Sequence, residues 1–209
     1  MKKMLVFSVA LLVAASAMLF GFAGMGRQTA LAGDTECRGT LGAVTIQGNV
    51  IVPDDTECTL SGTNVQGAVV VKSRASLFAT TITATGGVQS QGAKTIMICN
   101  STIGNSVSLS KGWEAVNGGS IGLHSNTING DIQLQDNRQP IQLLHNSVSG
   151  SIAAQGNTAG VEITGNGTMA APVNGIQCQD NMPAPEGSDN YAHQFQGQCP
   201  APQFGTTIP

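Results

Sequence analysis

Charge is scarce in this 209-residue chain, with only 10% of residues being Asp, Glu, Lys or Arg. Aromatic residues make up 4%, and Trp113 is the single tryptophan. So little charge, beside abundant glycine, serine, threonine and asparagine, argues against a helical globular enzyme and for turn-rich β structure. The balance is acidic, −3 over the whole chain, which gives no support to nucleic-acid binding. Acids are also thin where carbohydrate chemistry would need them. Between residues 100 and 170 they are Glu114, Asp131, Asp136 and Glu162.

What the chain does have begins with Met1-Lys2-Lys3 and an apolar run from Met4 to Met25, followed by Ala30-Leu31-Ala32. A basic start, an apolar core and a small-x-small site are the parts of an export signal, with cleavage expected after Ala32. The expected divisions are therefore a signal peptide over 1–32, one domain over 33–199 and a flexible tail over 200–209. The exported part would keep six basic and twelve acidic side chains, a formal charge of −6. A secreted or periplasmic bacterial protein follows, with no stable membrane insertion once the leader is gone.

All five cysteines lie beyond the cleavage point, and five is odd, so at least one thiol stays out of intramolecular pairing. Cys37 with Cys58 and Cys178 with Cys199 are the favoured pairs, each closing a loop of about twenty residues at one end of the chain. Cys99 reads as a buried thiol. Pro53, Asp54, Asp55 and Glu57 in the first loop, and Pro183, Pro185, Glu186 and Asp189 in the last, suit end caps that block strand addition.

The sequence repeats. Ile46-Gln47-Gly48-Asn49-Val50 is echoed at 65–69, 84–88, 103–107, 128–132 and 148–152, at spacings of mostly 19 or 20. Each segment has an apolar residue first and last with glycine between, except that Asn105 replaces glycine once. Since asparagine tolerates a left-handed backbone better than most residues, Gly48, Gly67, Gly86, Asn105, Gly130 and Gly150 are expected to form one repeated left-handed bend. Alternating apolar pairs upstream, such as Leu77 and Ala79 or Ile96 and Ile98, are half-buried strands. The pattern predicts an all-β fold, a parallel β-helix of about six to seven coils with a period of 19–20 residues, right-handed as parallel crossovers are. A leucine-rich repeat, with a similar period, is the structural alternative, but its regular leucine and asparagine consensus is missing. A β-sandwich would need hairpin signals.

Stretches such as Asn126-Thr127-Ile128-Asn129-Gly130-Asp131-Ile132 and Asn146-Ser147-Val148-Ser149-Gly150-Ser151-Ile152 resemble those of secreted bacterial right-handed parallel β-helix proteins of pectin-lyase-like architecture. The resemblance spans about residues 44–173. It implies architecture rather than activity, because that class holds lyases, hydrolases, adhesins and structural proteins.

Pectin-active enzymes of this class use clustered acids with a basic residue or a histidine, and no such cluster is legible here. No catalytic residue, metal site or cofactor is expected, and a zinc site through His124 and His145 lacks a third ligand. Two surface features stand out. Lys72, Arg74, Lys94, Lys111 and Arg138 all follow the last apolar residue of their segments by three to six positions, so they should share one corner with Trp113, which sits in the long insertion at 110–119. Such a ridge would suit an acidic polysaccharide or cell-surface glycan. Columns such as Thr83, Thr102 and Thr127 form the second feature. They read as side-chain ladders, with a faint likeness to the arrays of ice-binding solenoids. The expected role is structural or adhesive and non-enzymatic, at the envelope or in extracellular matrix. Polysaccharide binding or processing through the basic corner is the alternative.

Overall fold

The computed structural model describes residues 30–31, 33–113, 118–201 and 203–209. The expected leader lies outside these residues except for Ala30–Leu31, a strand that pairs with Thr45–Ile46. No helix among the described residues is long and apolar enough to cross a membrane.

The chain winds into a parallel β-solenoid with three long sheets of seven, nine and eight strands, and a small two-stranded sheet at the C-terminal end. Each coil up to the one that begins at Ser147–Val148 contributes one strand to each long sheet, and of these sheets the coils after it add strands only to the nine- and eight-stranded ones. The third coil, for example, runs Asn64–Val65, Val69–Val71 and Ser76–Thr80. Strand pairing among the described residues is parallel and in step, so that Val50, Val69, Val88, Val107, Ile132, Ile152 and Ile176 form one continuous interior column. All seven are fully buried. Successive coils stack at about 4.8 Å, and alternation along each strand sends one residue in and the next out.

The nine-stranded sheet makes the stack about nine turns tall, where six to seven were expected. The extra turns lie at the ends, in strands such as Thr35–Glu36, Glu186–Ser188 and Phe195–Gly197. There the apolar alternation fades, and pairing to the neighbouring coil, rather than hydrophobic pattern, holds the strand.

The glycine column exists, but it is not a left-handed bend. Gly48, Gly67, Gly86, Gly130 and Gly150 have no left-handed φ, and neither has Asn105. What demands glycine is close stacking: a Cβ on Gly86 would lie 2.8 Å from the backbone nitrogen of Ala68, and one on Gly67 2.7 Å from the carbonyl oxygen of Gly48. Left-handed residues occupy the other two corners instead. One column is Gly62, Thr81, Asn100, Ser125, His145 and Gly165, and the other includes Asp55, Arg74, Gly92, Lys111, Asp136 and Gly156. Non-glycine residues hold φ between 51° and 58° there. These turns recur at every coil, so the packing of the stack offsets the backbone cost.

Two interior asparagine ladders seal these corners. Asn126, Asn146, Asn166 and Asn190 form one, and Asn137, Asn157 and Asn181, closed by Gln198, form the other. The six asparagines from Asn126 to Asn166 and at Asn190 are 0–2% exposed, and Asn181 is 4% exposed. Each side-chain oxygen takes the backbone N–H of the coil before it, as when Asn146 Oδ1 accepts from Asn126 N at 3.1 Å, while each Nδ2 donates to a strand carbonyl, as from Asn146 to Leu123 O at 2.8 Å. Buried amides paired on both sides satisfy corner groups that water cannot reach. Earlier coils fill the first column with Thr63, Ile82 and Ser101, and the second with Ala75 and Ala93.

Both predicted disulfides are present, Cys37–Cys58 and Cys178–Cys199. All four sulfurs belong to residues no more than 1% exposed. Each separation is 21 residues, close to one coil, so each bond fastens a coil to its neighbour from inside the core. The acids expected to cap the first end sit elsewhere: Asp54 and Asp55 lie in a lateral corner, between Val50–Val52 and Glu57–Ser61. At the C-terminal end the plug is Phe204, 1% exposed, followed by Gly205–Thr207 pairing with Asn190–Ala192. The stretch after Cys199, expected to be flexible, thus carries an end of the core. A lone large apolar side chain among polar residues gave no periodic signal.

Candidate functional site

The strand register places the five basic residues as the repeat implied. Lys72 and Arg74 follow Val69–Val71, Lys94 follows Val88–Gln91, Lys111 follows Val107–Ser110, and Arg138 follows Ile132–Gln135. All lie on the corner between the nine- and eight-stranded sheets. Lys94 is half-buried and the others are exposed.

The corner is far from uniformly positive. Arg74 donates Nε and Nη2 to the two carboxylate oxygens of Asp55, both at 2.5 Å. These hydrogen bonds hold the Asp55 carboxyl below its ordinary range, partly opposed by desolvation and aided by the guanidinium charge. The same guanidinium lies 5.6 Å from the centroid of the Trp113 ring, a cation–π distance. Arg74 therefore has its charge matched by Asp55 and its face covered by indole. Asp136 lies on the corner too, while Glu114 falls outside the described residues. Lys111, Gly112, Trp113, Asp136, Arg138, Gly156 and Thr158 line an open hollow of about 510 Å³.

A second hollow of about 510 Å³ opens beside the corner, on the nine-stranded sheet. Gln89, Gln91, Ser108, Ser110, Val70 and Lys72 are among its walls. It arises because Ser108 and Ser110 are short where the flanking coils carry Gln89 and Gln91 on one side and Gln133 and Gln135 on the other. The glutamines continue along the face, with Gln155 following Gln135 and Gln179 following Gln155, and Gln177 paired with Gln196. All eight are exposed. Sequence reasoning missed this face. Its signal was the Gln-x-Gln spacing at 89–91, 133–135 and 177–179, which sets two side chains on one side of a strand.

The outer columns of the seven-stranded sheet are also uncharged. Asn64, Thr83, Thr102, Thr127 and Ser147 stack in register, and Thr85 Oγ1 donates to Gln66 O at 2.5 Å. On the eight-stranded sheet, Glu162 and Glu186 are register partners, and Gln142 donates to Glu162 at 2.9 Å. Both glutamates border a hollow of about 270 Å³. His124 and His145 do not stack, because the register partner of His124 is Leu144. Cys99, expected to be buried, is a free, half-buried thiol. It occupies an outward position, alternating with the buried Ile98.

Fold and surface together define the chain as an all-β parallel β-solenoid, a scaffold closed by two disulfides. No family model, curated protein or solved structure matches it.

Proposed function

We propose that the protein is an exported, non-enzymatic right-handed parallel β-helix that works by adhesion at the bacterial envelope or in the extracellular matrix, and that its adhesive surface is the glutamine face. The right hand follows from the strong bias of parallel crossovers. Export follows from the leader, whose removal after Ala32 would leave Thr45–Ile46 as the edge of the seven-stranded sheet.

The observation that carries the reading is the alignment of Gln89, Gln91, Gln133, Gln135, Gln155, Gln177, Gln179 and Gln196 on one rigid sheet, with a trough at Ser108 and Ser110. Primary amides both donate and accept, as hydroxyl groups do, and carry no charge. A long face of them matches a neutral, hydroxyl-rich polysaccharide. Each single contact is weak, but repetition along the stack adds many of them to one polymer chain.

The acidic-polysaccharide reading keeps one supporting observation, the hollow between Lys111, Trp113 and Arg138. Asp55 and Asp136 on the same corner weaken it. Pull-down of the protein on insoluble neutral and acidic polysaccharides separates the two. The glutamine face predicts binding to a neutral polymer that survives combined Lys111→Ala and Trp113→Ala substitution and is lost on combined Gln89→Glu, Gln133→Glu and Gln135→Glu substitution. Binding confined to acidic polymers and lost with Lys111 and Trp113 would transfer the function to the corner. Release of new sugar ends, abolished by Glu162→Gln, would make the protein an enzyme.

A further inference from the structure

The outer face of the eight-stranded sheet brings together two sulfur-bearing side chains and an imidazole, Met97, Cys99 and His124. Met97 and Cys99 point outward from Thr95–Cys99, and in the next coil Gly122 and His124 are their register partners. Gly122 has no side chain, and the space above it is where the neighbours meet. The point at which a Cβ on Gly122 would sit is 2.6 Å from Met97 Cε, 2.7 Å from Met97 Sδ and 3.2 Å from His124 Nε2, and Ser120 Oγ donates a long 3.9 Å contact to the same sulfur. Cys99 stands directly across from His124, one inter-strand spacing away.

Two further observations mark this cluster. His124 Nε2 is fully enclosed and has no hydrogen-bond partner, although an imidazole nitrogen in that setting ordinarily has one. Cys99 is also the free thiol of a chain whose other four cysteines are paired. No group of three or more His, Cys, Asp and Glu able to hold a metal occurs among the described residues. The thioether of Met97 supplies the third ligand here.

We propose that Met97, Cys99 and His124 form a binding site for a monovalent soft cation, Cu(I). Thiolate and thioether sulfurs favour Cu(I) over harder ions, and imidazole also binds copper. There is no carboxylate among the three, and their register neighbours are uncharged: Phe78 beside Met97, Thr80 beside Cys99, Gln142 beside Gly122 and Leu144 beside His124. A low-charge ion with few ligands suits such surroundings better than a divalent ion that retains water. Binding replaces the S–H bond of Cys99 with a metal–sulfur bond and releases one proton to solvent, with no change in oxidation state.

The test is an anaerobic titration of the purified protein with Cu(I) against bicinchoninate as a coloured competitor, with the fold of every variant checked by circular dichroism. One Cu(I) per chain should be withdrawn from the competitor. Met97→Leu and His124→Asn should each weaken binding by about tenfold or more, at least what loss of an outer-shell partner costs at known metal sites. Cys99→Ser should abolish it. Gly122→Leu, which fills the meeting point without removing a ligand, should weaken it too. Failure to compete for Cu(I) overturns the site, and so does binding that depends on Cys99 alone and ignores Met97 and His124. In the first case the contact is sulfur–ring packing only, and in the second the copper is held by an ordinary thiol.

Discussion

Asn157 Oδ1 accepts both the backbone N–H of Asn137, at 3.1 Å, and its side-chain Nδ2, at 2.9 Å. One amide thus ties two coils together twice, inside a corner that no water reaches. Its own Nδ2 goes on to Leu134 O at 3.0 Å and to Asn181 Oδ1 at 2.8 Å. Removing the side chain leaves the buried N–H of Asn137 without its acceptor and takes a donor from both Leu134 O and Asn181 Oδ1. Asn157→Ala should therefore lower the unfolding free energy by about 3 kcal/mol, and urea denaturation measures it. Asn64→Ala, on an outer column, should change it by less than about 0.5 kcal/mol.

Phe204 is the largest side chain at the C-terminal end of the core, and Asn190 Nδ2 donates to its carbonyl at 2.7 Å. Phe204→Ala should cost about 3 kcal/mol, in the range of large-to-small core substitutions. Hydrogen exchange should rise first in Glu186–Ser188 and Asn190–Ala192. The central strands should keep their protection, because coils contact mainly their neighbours.

Each disulfide spans about one coil, and closure of a loop that long stabilises by about 3 kcal/mol on the chain-entropy account. Paired Cys37→Ser and Cys58→Ser should loosen the first two coils. Peptide mapping of the unreduced protein should show Cys37 joined to Cys58, Cys178 to Cys199, and Cys99 alkylated by added reagent.

Much of this was legible in the sequence because a solenoid repeats its instructions. The strand columns, both disulfide pairs and the basic corner followed from spacing alone. The asparagine ladders did not, although Asn126, Asn146 and Asn166 recur at intervals of twenty, because asparagine reads as a turn residue and its burial depends on stacking across coils. The meaning of the glycine column was also hidden. Close approach and left-handed φ both select glycine, and only the neighbouring coil's backbone tells them apart. The site at Met97, Cys99 and His124 crosses two coils at the 25-residue insertion step, where the regular period cannot align the partners.

The Asp55–Arg74 pair has a defined pH signature. The folded carboxyl titrates below its unfolded value, so its contribution to stability is present above the unfolded pKa and is lost as pH falls through the folded one. Both side chains are largely exposed, at 58% for Asp55 and 41% for Arg74, so the effect on stability is small. Carbon-detected NMR titration should find Asp55 among the last aspartates to protonate. Arg74→Ala should return it to the ordinary range and free the Trp113 ring, shifting its fluorescence.

The account rests most heavily on the glutamine face as a repeating adhesive surface. Calorimetric titration with neutral oligosaccharides of increasing length, drawn from a polymer that the protein retains, tests it directly. The account predicts affinity that climbs with length as successive coils engage, and that collapses when Gln89, Gln133 and Gln135 are replaced by glutamate. Affinity that is already complete for a single sugar unit, or that is unchanged in the glutamate variant, would contradict it.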